Sequence, residues 1–509
     1  MLSRTRSGAV YGVDACLVEV EVHVTSGGNG DFHIVGLPDT AIRESRSRIR
    51  AAIANSGFQV PYARITVNLA PAGVRKEGSA FDLPMAVGIL ASAGVIAQDL
   101  LPFLLVGELA LDGRIRPVRG VLPVALLARR RGIPNLLVPA DNAGEGALAE
   151  EVAVYPVNTL REVVAFLTGQ TKLEPRSGSA ELCPEDAGGD DFADVRGQQH
   201  ARRAVEVAIA GGHNILMVGP PGSGKTMLAR RIPSIIPPMS REESLETTKV
   251  YSAAGLLPAG CGLVTRRPFR APHHTVSTAG LVGGGSIPRP GEVSLAHNGV
   301  LFLDELPEFP RQALEALRQP LEEGRVTVTR AQMTLTFPAS LVLAAAMNPC
   351  RCGYLGDPRR ECTCTPKQIQ AYMSKISGPL LDRIDIQVEV PAVPYREIAG
   401  SQDSEASAAI RQRIVAARDA QRRRLAEAGI HTNSRMKPAH VRTWCGLDSE
   451  CERLLERAIT QLGLSARGWS RILKVARTIA DLDGSEAIAA GHVAEAIRYR
   501  RLDAHDSGG

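Results

Sequence analysis

The sequence predicts an α/β protein with a helical C-terminal part, and three observations support this fold class. Its 509 residues suffice for about three domains. Apolar runs at 215–218, 300–303 and 341–345 alternate with longer helical segments, which is typical of a parallel sheet with helical crossovers. After residue 394 the apolar spacing becomes helical. We therefore predict an α/β domain over 1–170, a linker over 171–191, a parallel-sheet domain over 192–394 and a helical domain over 395–509.

The individual elements follow from the apolar spacing within these limits. In the first domain, 17–24 and 65–69 are predicted strands, whereas 39–56 and 83–93 are predicted helices. The linker is rich in Pro, Gly and acidic residues, which is the composition of an exposed connection. The C-terminal domain is predicted to contain helices over 408–429, 451–462, 470–482 and 485–498.

The composition excludes several classes of protein. Hydrophobic residues make up 44% and charged residues 22% of the chain, which excludes a largely disordered or fibrous protein. No apolar run reaches the roughly 18 residues that cross a membrane, and the N-terminus lacks an apolar signal segment. We therefore expect a cytoplasmic protein with no membrane partner. The net charge of +5 permits a polyanionic partner without requiring one.

A phosphate-binding loop is predicted at residues 219–226, which read GPPGSGKT and fit the pattern G-x-x-x-x-G-K-[ST] between a strand and a helix. In such a loop, backbone N–H groups bind phosphate oxygens, the lysine reaches the β- and γ-phosphates, and the hydroxyl binds Mg²⁺. The alternative is a chance glycine-rich turn, and the flanking strand and helix argue against it. The predicted ligands of ATP and Mg²⁺ are Gly219, Pro220, Pro221, Gly222, Ser223, Gly224, Lys225 and Thr226.

Two further strands are predicted to end in polar residues at the same edge of the sheet. The apolar run 300–303 delivers Asp304, as a Mg²⁺ ligand, and Glu305, as the group that polarises the attacking water. The alternative is a solvated strand end. The run 341–347 ends in Asn348, which would orient that water against the γ-phosphate. A turn-forming Asn before Pro349 is the other interpretation.

Several motifs together resemble the magnesium-chelatase-like AAA+ ATPases of the ComM/YifB type. The resemblance runs from the N-terminus to about residue 500. The motifs are DVRGQ (194–198), GPPGSGKT (219–226), RPFRAPHHT (267–275), GVLFLDEL (299–306), AAMNPC (345–350), GPLLDRID (378–385) and SARGWSRILKVARTIADL (465–482).

The resemblance implies a homo-oligomeric ring, typically a hexamer, with ATP between neighbouring copies. Arg383 of LLDRID would then be an arginine finger for the next copy's γ-phosphate, because guanidinium is always charged and forks onto phosphate oxygens. The alternative is an intrachain ion pair with Asp382 or Asp385. Arg467 matches a second sensor arginine of this clade, with Arg471 as the other candidate, and either could instead lie on a solvated helix face.

The stretch between Lys225 and Asp304 is longer than one crossover needs, and GLVGGG (280–285) indicates an inserted loop. Residues 325–329 and 333–337 form a hairpin pattern around Arg330. The resemblance implies that both insertions line the ring pore and that Arg330 contacts a nucleic-acid backbone; an ordinary exposed arginine is the alternative. The adjacent His273 and His274 are expected to pack rather than bind one metal, since consecutive strand side chains point apart.

Four cysteines lie within a short stretch directly after Asn348, in two C-x-C pairs. In a reducing compartment such a set indicates tetrahedral Zn²⁺ more than disulfides, although C-x-C is tighter than the usual C-x₂-C. We expect a structural zinc that holds the loop and has no catalytic role. The other five cysteines show no partner spacing and are expected to be plain thiols. The predicted zinc ligands are Cys350, Cys352, Cys362 and Cys364.

The first domain resembles the Lon-protease type (ribosomal S5 domain 2-like) in RKEGSAFDLP (75–84) and GELALDGRIRPVRG (107–120). The resemblance places Ser79 near the position of the Lon nucleophile. The segment 118–123, where the Lon lysine would fall, contains Arg119 and no lysine, and arginine cannot act as the base. We therefore predict a non-catalytic domain.

The leading functional interpretation is an ATP-hydrolysing ring motor that acts on single-stranded or branched DNA. The resemblance implies branch migration or helicase work in recombination or natural transformation. Two alternatives stay open: a chelatase-type motor for metal insertion, and an ATP-dependent protease or chaperone. The Lon-like domain argues against the first alternative, and the missing lysine argues against the second.

Overall fold

The computed structural model describes residues 1–25, 30–176, 190–285, 288–330, 333–357, 359–393, 405–462 and 465–500. Its contacts divide the chain into two compact regions. The first contains residues up to 176 together with Ser240–Arg266, and the second contains 190–239 and 267–500. The sequence predicts 240–266 as part of the parallel-sheet domain and the C-terminal helices as a separate domain, whereas the contacts place 240–266 in the first region and those helices with the sheet. Most of the predicted linker lies outside the described residues.

The secondary-structure elements are labelled here in chain order. The strands are β1 (Leu2–Tyr11), β2 (Asp14–Thr25), β3 (Phe32–Val35), β4 (Arg64–Ala70), β5 (Phe103–Leu105), β6 (Glu108–Leu109), β7 (Ile115–Arg116), β8 (Asn135–Pro139), β9 (Ala153–Val157), β10 (Ile215–Val218), β11 (Phe269–Arg270), β12 (Val300–Leu303), β13 (Arg325–Arg330), β14 (Met333–Pro338), β15 (Val342–Met347) and β16 (Ile386–Glu389). The helices are α1 (Thr40–Asn55), α2 (Asp82–Ser92), α3 (Val121–Arg130), α4 (Ala143–Gly146), α5 (Leu160–Leu167), α6 (Gln199–Gly211), α7 (Lys225–Ile235), α8 (Arg241–Ala254), α9 (Thr278–Val282), α10 (Glu292–Leu295), α11 (Arg311–Ala316), α12 (Arg318–Glu323), α13 (Pro366–Met373), α14 (Gly378–Leu381), α15 (Ser407–Leu425), α16 (Pro438–Trp444), α17 (Ser449–Leu462), α18 (Ala466–Leu482) and α19 (Ala490–Arg498).

The first region is built on a mixed sheet with the strand order β3-β4-β2-β1-β5-β8-β9. The predicted strands and helices of this domain are confirmed. Helix α1 begins where the Asp39 side chain accepts a hydrogen bond from the Ile42 N–H at 2.8 Å. Its apolar face, including Ile42, Ile49 and Ile53, is fully buried. In the same region, Ser252 at the end of α8 accepts a 2.9 Å hydrogen bond from the Gly120 N–H at the start of α3.

The second region contains a five-stranded parallel sheet with the order β11-β12-β15-β10-β16. All residues of β10 and β12 are buried, as expected of parallel strands covered on both faces. The register sets Ile215 opposite both Ala344 and Ile386, so β10 lies between β15 and β16. The predicted strands are confirmed, and their carboxyl ends share one edge of the sheet.

The C-terminal helices bury apolar residues in the same core as this sheet. Ile414 of α15, Ile479 of α18 and Val493 of α19 belong to one buried cluster with Ile215 and Met217 of β10. The predicted helices are confirmed, with α17 and α18 close to the expected bounds. The helical part is thus packed on the sheet rather than set apart from it.

A buried ionic group lies where the helices meet the start of β16. His213 Nδ1 lies 3.2 Å from Asp385 Oδ2, and Arg471 Nε lies 3.6 Å from Asp385 Oδ1. Burial would raise the pKa of Asp385, but the His213 hydrogen bond and the nearby positive charges lower it to about 2. This carboxylate therefore stabilises the fold above pH 3.8, and its contribution is lost as the pH falls through about 2.

Two further expectations can be compared with the described residues. None of their helices has the length and apolar character of a membrane span. Cys16, Cys445 and Cys451 are free thiols, as expected. Cys261 is disulfide-bonded, so the expectation of a plain thiol is wrong there, because spacing in sequence does not reveal partners that folding brings together. Cys183 lies outside the described residues.

Candidate nucleotide-binding site

The phosphate-binding loop connects the carboxyl end of β10 to the first residue of α7. The chain passes close to its neighbour there: a Cβ at Gly219 would lie 2.1 Å from the Val390 carbonyl oxygen. Gly224 has φ +91°, a conformation that side chains disfavour. Helix α7 begins directly at Lys225, so its free N–H groups and the positive end of its dipole face the loop. The backbone of the predicted phosphate-binding loop therefore has the conformation that phosphate binding requires.

Lys225 is buried at the centre of the loop. Its Nζ donates to the carbonyl oxygens of Gly219 at 2.7 Å and Pro220 at 2.9 Å, and lies 3.3 Å from Asn348 Oδ1. Burial lowers the pKa of Lys225, and the charge of Asp304 opposes that shift. The ammonium group is thus held by two loop carbonyls and one amide oxygen, which are neutral partners that a charged phosphate can replace.

Thr226 and Asp304 form the predicted pair of hard-oxygen groups. The Thr226 hydroxyl donates to Asp304 Oδ2 at 2.7 Å, which joins the start of α7 to the carboxyl end of β12. A hydroxyl and a carboxylate side by side next to a phosphate loop fit the ligands that Mg²⁺ takes in such sites. Asp304 Oδ1 also accepts the Glu305 N–H at 2.9 Å, which fixes the carboxylate orientation.

Glu305 has a partner that the sequence analysis did not assign. Its carboxylate Oε2 lies 3.2 Å from Nδ1 of His274, and the Glu305 side chain is 58% exposed. The two residues come together because β11, which precedes His274 in the chain, pairs in parallel with β12. The His274 ring also packs near Phe309, as expected for this motif, with ring centroids 6.4 Å apart. The RPFRAPHHT motif was the available signal for this contact.

Asn348 lies at the carboxyl end of β15, as predicted, with its amide oxygen directed at Lys225. Tyr372 of α13 lies close to the Asn348 backbone, which no sequence pattern had indicated. Burial of Tyr372 and the nearby acidic groups raise its pKa to about 12, and the Asn348 backbone opposes this shift.

Gln198 of the DVRGQ motif is a second residue that the sequence analysis left without a role. It has the unusual φ of 54°, and its side-chain amide donates to the Ser223 carbonyl at 3.3 Å. The same amide contacts the Pro391 carbonyl after β16. Gln198 thus ties the phosphate loop to the end of the neighbouring strand.

Arg383 lies at the amino-terminal ends of the strands, whereas Lys225 lies at their carboxyl ends. We call these two ends of the sheet its amino edge and its carboxyl edge. Its carbonyl accepts a 2.8 Å hydrogen bond from the side chain of Asn214, the residue before β10. The four residues of β10 span about 13 Å at roughly 3.3 Å per residue. The guanidinium contacts Glu322 and the Pro379 carbonyl, the latter at 2.7 Å. The observed ion pair is therefore with Glu322, not with the expected alternatives Asp382 or Asp385.

The two candidate sensor arginines differ in environment. Arg471 is largely buried beside Asp385 and donates to the Ile384 carbonyl at 3.4 Å. Arg467 is exposed at the start of α18. The hydrogen bond from Arg383 lowers the pKa of Glu322, and the Arg467 charge adds to the shift. Arg467 therefore lies near the Arg383–Glu322 pair at the amino-terminal ends of the strands, although the Arg383 side chain is only 11% exposed and the Arg471 side chain 16% exposed.

The predicted hairpin is confirmed as β13 paired with β14, with Arg330 opposite Met333; its tip, 331–332, lies outside the described residues. Arg330 is exposed, and its Nη2 lies 3.3 Å from where a Cβ would stand at Gly284. Gly284 and Arg289 exchange two backbone hydrogen bonds, at 3.2 and 3.1 Å. The two predicted insertions thus meet at Arg330.

The four predicted zinc ligands come together in space. All four Sγ atoms lie within 4.8 Å of one another. We call the set Cys350, Cys352, Cys362 and Cys364 the four-cysteine cluster.

The predicted nucleophile position of the first domain is not arranged as a Ser–Lys pair. Ser79 Oγ donates to the Glu108 carboxylate. The nearest lysine in sequence, Lys76, is fully buried, and its Nζ donates to the carbonyls of Gly36 and Pro71, the former at 3.2 Å. Burial lowers the pKa of Lys76. The described hydrogen bonds of Ser79 and Lys76 include none between these two side chains.

Comparison with known proteins identifies the family. "Magnesium chelatase, subunit ChlI" matches residues 191–398, "Subunit ChlI of Mg-chelatase" matches 20–142, and "Magnesium chelatase, subunit ChlI C-terminal" matches 404–500. Competence protein ComM of Haemophilus influenzae is 45% identical over 504 residues, which cover 97% of each chain. The chain belongs to the magnesium-chelatase-like ComM/YifB family of AAA+ proteins. YifB of Escherichia coli is 44% identical over 99% of this chain and 97% of its own.

The resemblance of the first domain to Lon is partial. Lon protease of Chloroflexus aurantiacus is 28% identical over 165 residues, which cover 31% of this chain and 20% of that protein. Ser79 and Lys76 of this chain do not form a Ser–Lys pair of the Lon type. The family membership indicates an AAA+ ATPase with ATP and Mg²⁺ as its nucleotide and metal.

We expect the Glu305→Gln variant to bind ATP normally and to turn it over about 10²-fold more slowly, because the amide cannot polarise water. Initial-rate kinetics and titration with a nonhydrolysable ATP analogue measure the two effects separately. Glu308→Gln is the matched control, since Glu308 is an exposed glutamate three residues further on that pairs with Lys375. A wild-type turnover rate for Glu305→Gln contradicts the assignment.

Proposed function

We propose that this protein is an ATP-hydrolysing, ring-forming motor that acts on DNA. The observation that supports it most directly is the convergence of Lys225, the Thr226–Asp304 pair and Asn348 at the carboxyl edge of one parallel sheet. These groups come from three different strands and can all face a single triphosphate. No other cluster in the described residues combines a phosphate loop, a metal-binding pair and a carboxylate positioned for water.

The proposed roles follow from the positions of these groups. Lys225 and the α7 N-terminus hold the β- and γ-phosphates, and Thr226 with Asp304 would hold Mg²⁺, which would neutralise developing phosphate charge. Glu305, oriented by His274, polarises the attacking water. Asn348 contacts Lys225 directly and can orient that water with its amide group. Nothing in this arrangement requires a covalent intermediate.

The position of Arg383 supports the proposal of a homo-oligomer, with a hexamer as the expected form. Because Arg383 and Arg467 lie at the amino edge, neither faces the phosphate loop of its own chain. A neighbouring copy whose carboxyl edge faced this surface would receive both guanidinium groups at its γ-phosphate. Release of Arg383 from Glu322 would be required, and phosphate is the stronger competitor because it carries more charge.

The DNA part of the proposal rests on the two insertions that meet at Arg330. Arg289 and Arg330 are both exposed, and the Arg330 guanidinium lies beside Gly284, which pairs with Arg289. Arginines on such hairpins suit a phosphate backbone, because affinity there depends on charge rather than base identity. The name Competence protein ComM also links a relative of 45% identity to competence, a process that involves DNA uptake. Branch migration or helicase work is the activity we propose.

A protease function is disfavoured by the first region. The Ser79 hydroxyl donates to Glu108, and the buried Lys76 is bonded to carbonyl oxygens instead of to Ser79. We propose that this domain is a non-catalytic scaffold. Metal insertion into a tetrapyrrole has no specific observation in its favour beyond the family name.

We expect single-stranded, duplex or forked DNA to raise the ATPase rate, and this increase to fall steeply with salt. Arg330→Ala should reduce the slope of log affinity against log salt by about 1, because one phosphate contact is lost. The control is Arg325→Ala, at the base of the same hairpin, where the arginine pairs with Glu323 at 3.0 Å. An ATPase rate unchanged by all three DNA forms contradicts the DNA assignment.

For Arg383, we expect the Ala variant alone and the Lys225→Ala variant alone to be inactive, and their mixture to regain part of the ATPase rate. The reason is that one copy then supplies the phosphate loop and its neighbour supplies the guanidinium. The measurement is ATPase rate against mixing ratio, with co-assembly verified by mass photometry. An inactive mixture despite co-assembly shows that Arg383 does not act between copies.

A further inference from the structure

The four-cysteine cluster has the dimensions of a tetrahedral metal site. Cys350 Sγ lies 3.3 Å from Cys352 Sγ and 3.7 Å from Cys362 Sγ, and the last two sulfurs are 3.6 Å apart. Zinc bound by four sulfurs at about 2.3 Å places neighbouring sulfurs about 3.8 Å apart. The cluster therefore needs only small adjustments to hold such an ion.

A backbone hydrogen bond to one of the sulfurs is also typical of a thiolate metal site. The Cys352 N–H donates to the sulfur of Cys364 at 3.4 Å, which supplies a hydrogen bond to a negatively charged ligand. Four thiolates of one cluster repel one another strongly unless a cation neutralises them. Among divalent ions, zinc favours tetrahedral thiolate sites.

The loop that carries the cluster touches the nucleotide site at Pro221. Gly353 lies so close to this residue of the phosphate loop that a Cβ on the glycine would be 2.6 Å from Pro221 Cδ. The same Cβ would be 3.8 Å from Cγ of Asn348. Gly353 follows Cys352 directly and donates its N–H to the Cys350 carbonyl at 3.0 Å. The cluster thus sets the position of a loop in van der Waals contact with the ATP site.

The loop that carries the cluster connects Asn348 to α13. Cys350 follows Asn348 after one proline, and Cys364 is followed by Thr365, which caps α13. A metal bound by all four cysteines would therefore join the segment that follows Asn348 to the segment that precedes α13.

We infer that the four-cysteine cluster binds one zinc ion and that this ion positions Asn348 and Pro221 for ATP hydrolysis. In this proposal the cysteines are positioning residues, because they act through Asn348 and Pro221 and not on the nucleotide itself. This goes beyond the structural role expected from the sequence, in which the metal only holds its own loop. The metal assignment stands on the sulfur geometry alone, whereas the coupling to hydrolysis rests on the proposed ATPase function.

The first measurement is the metal content of the full-length protein purified without chelator. We expect about one zinc per chain for the wild type and for Cys16→Ser, a control thiol in the first region, and less than about 0.2 for Cys362→Ser/Cys364→Ser. Iron in place of zinc, or a wild-type zinc content below about 0.2 per chain, overturns the metal assignment.

The second measurement separates coupling from metal binding by use of two glycines in the same loop. Gly353 and Gly356 have φ of +88° and +78°, so alanine costs similar backbone strain at both. Only Gly353 contacts Pro221, since nothing lies within 4 Å of a Cβ at Gly356. We expect Gly353→Ala to keep its zinc and to lower kcat for ATP about tenfold relative to Gly356→Ala.

The outcomes distinguish the metal site from its coupling to ATP hydrolysis. Equal kcat values for the two alanine variants, both with full zinc, overturn the coupling. If the wild type binds zinc but neither it nor any variant hydrolyses ATP, the proposed function and the coupling that rests on it are contradicted. The assignment of the metal site is unaffected by that result. Metal analysis of the same samples shows whether Gly353→Ala retains zinc. If it loses zinc, the loop depends on the Pro221 contact, and the inference that the ion positions Pro221 and Asn348 is overturned.

Discussion

The parallel pairing of β10 with β15 on one side and β16 on the other is the constraint on which the candidate site depends. This register brings the phosphate loop and Asn348 to the same edge, and the next strand, β12, adds Asp304 and Glu305. Since the strands are buried on both faces, a slip in register would expose apolar side chains and is strongly disfavoured. The geometry of the candidate site is therefore a consequence of the core packing.

The same sheet separates two kinds of group. The residues proposed to bind phosphate and orient water lie at its carboxyl edge, and Arg383 lies at its amino edge near Arg467. The proposed catalytic unit is thus divided between opposite ends of the sheet in one chain, which is the arrangement that the proposed ring requires. The ion pair with Glu322 holds the largely buried Arg383 side chain in place, and the buried Asp385 group anchors the segment that carries Arg383.

The sequence predicted the parts of this site that depend on local pattern. The phosphate loop, the acidic end of β12 and the β13–β14 hairpin all have signatures within one or two elements. It did not predict the His274–Glu305 contact, the proximity of Tyr372 to Asn348, or the placement of 240–266 in the first region, because each depends on pairings between distant segments. The partner of Arg383 was also missed: Glu322 is far from it in sequence, and local spacing favoured Asp382 and Asp385.

The most direct test of the account is the affinity of the full chain for a nonhydrolysable ATP analogue with Mg²⁺, measured by calorimetry for the wild type, Lys225→Ala and the exposed-lysine control Lys367→Ala. We predict one nucleotide per chain for the wild type and the control, and an affinity at least about tenfold lower for Lys225→Ala, because a charged hydrogen-bond donor to phosphate is lost. Equal affinities for the wild type and Lys225→Ala would contradict the assignment of this loop as the nucleotide site.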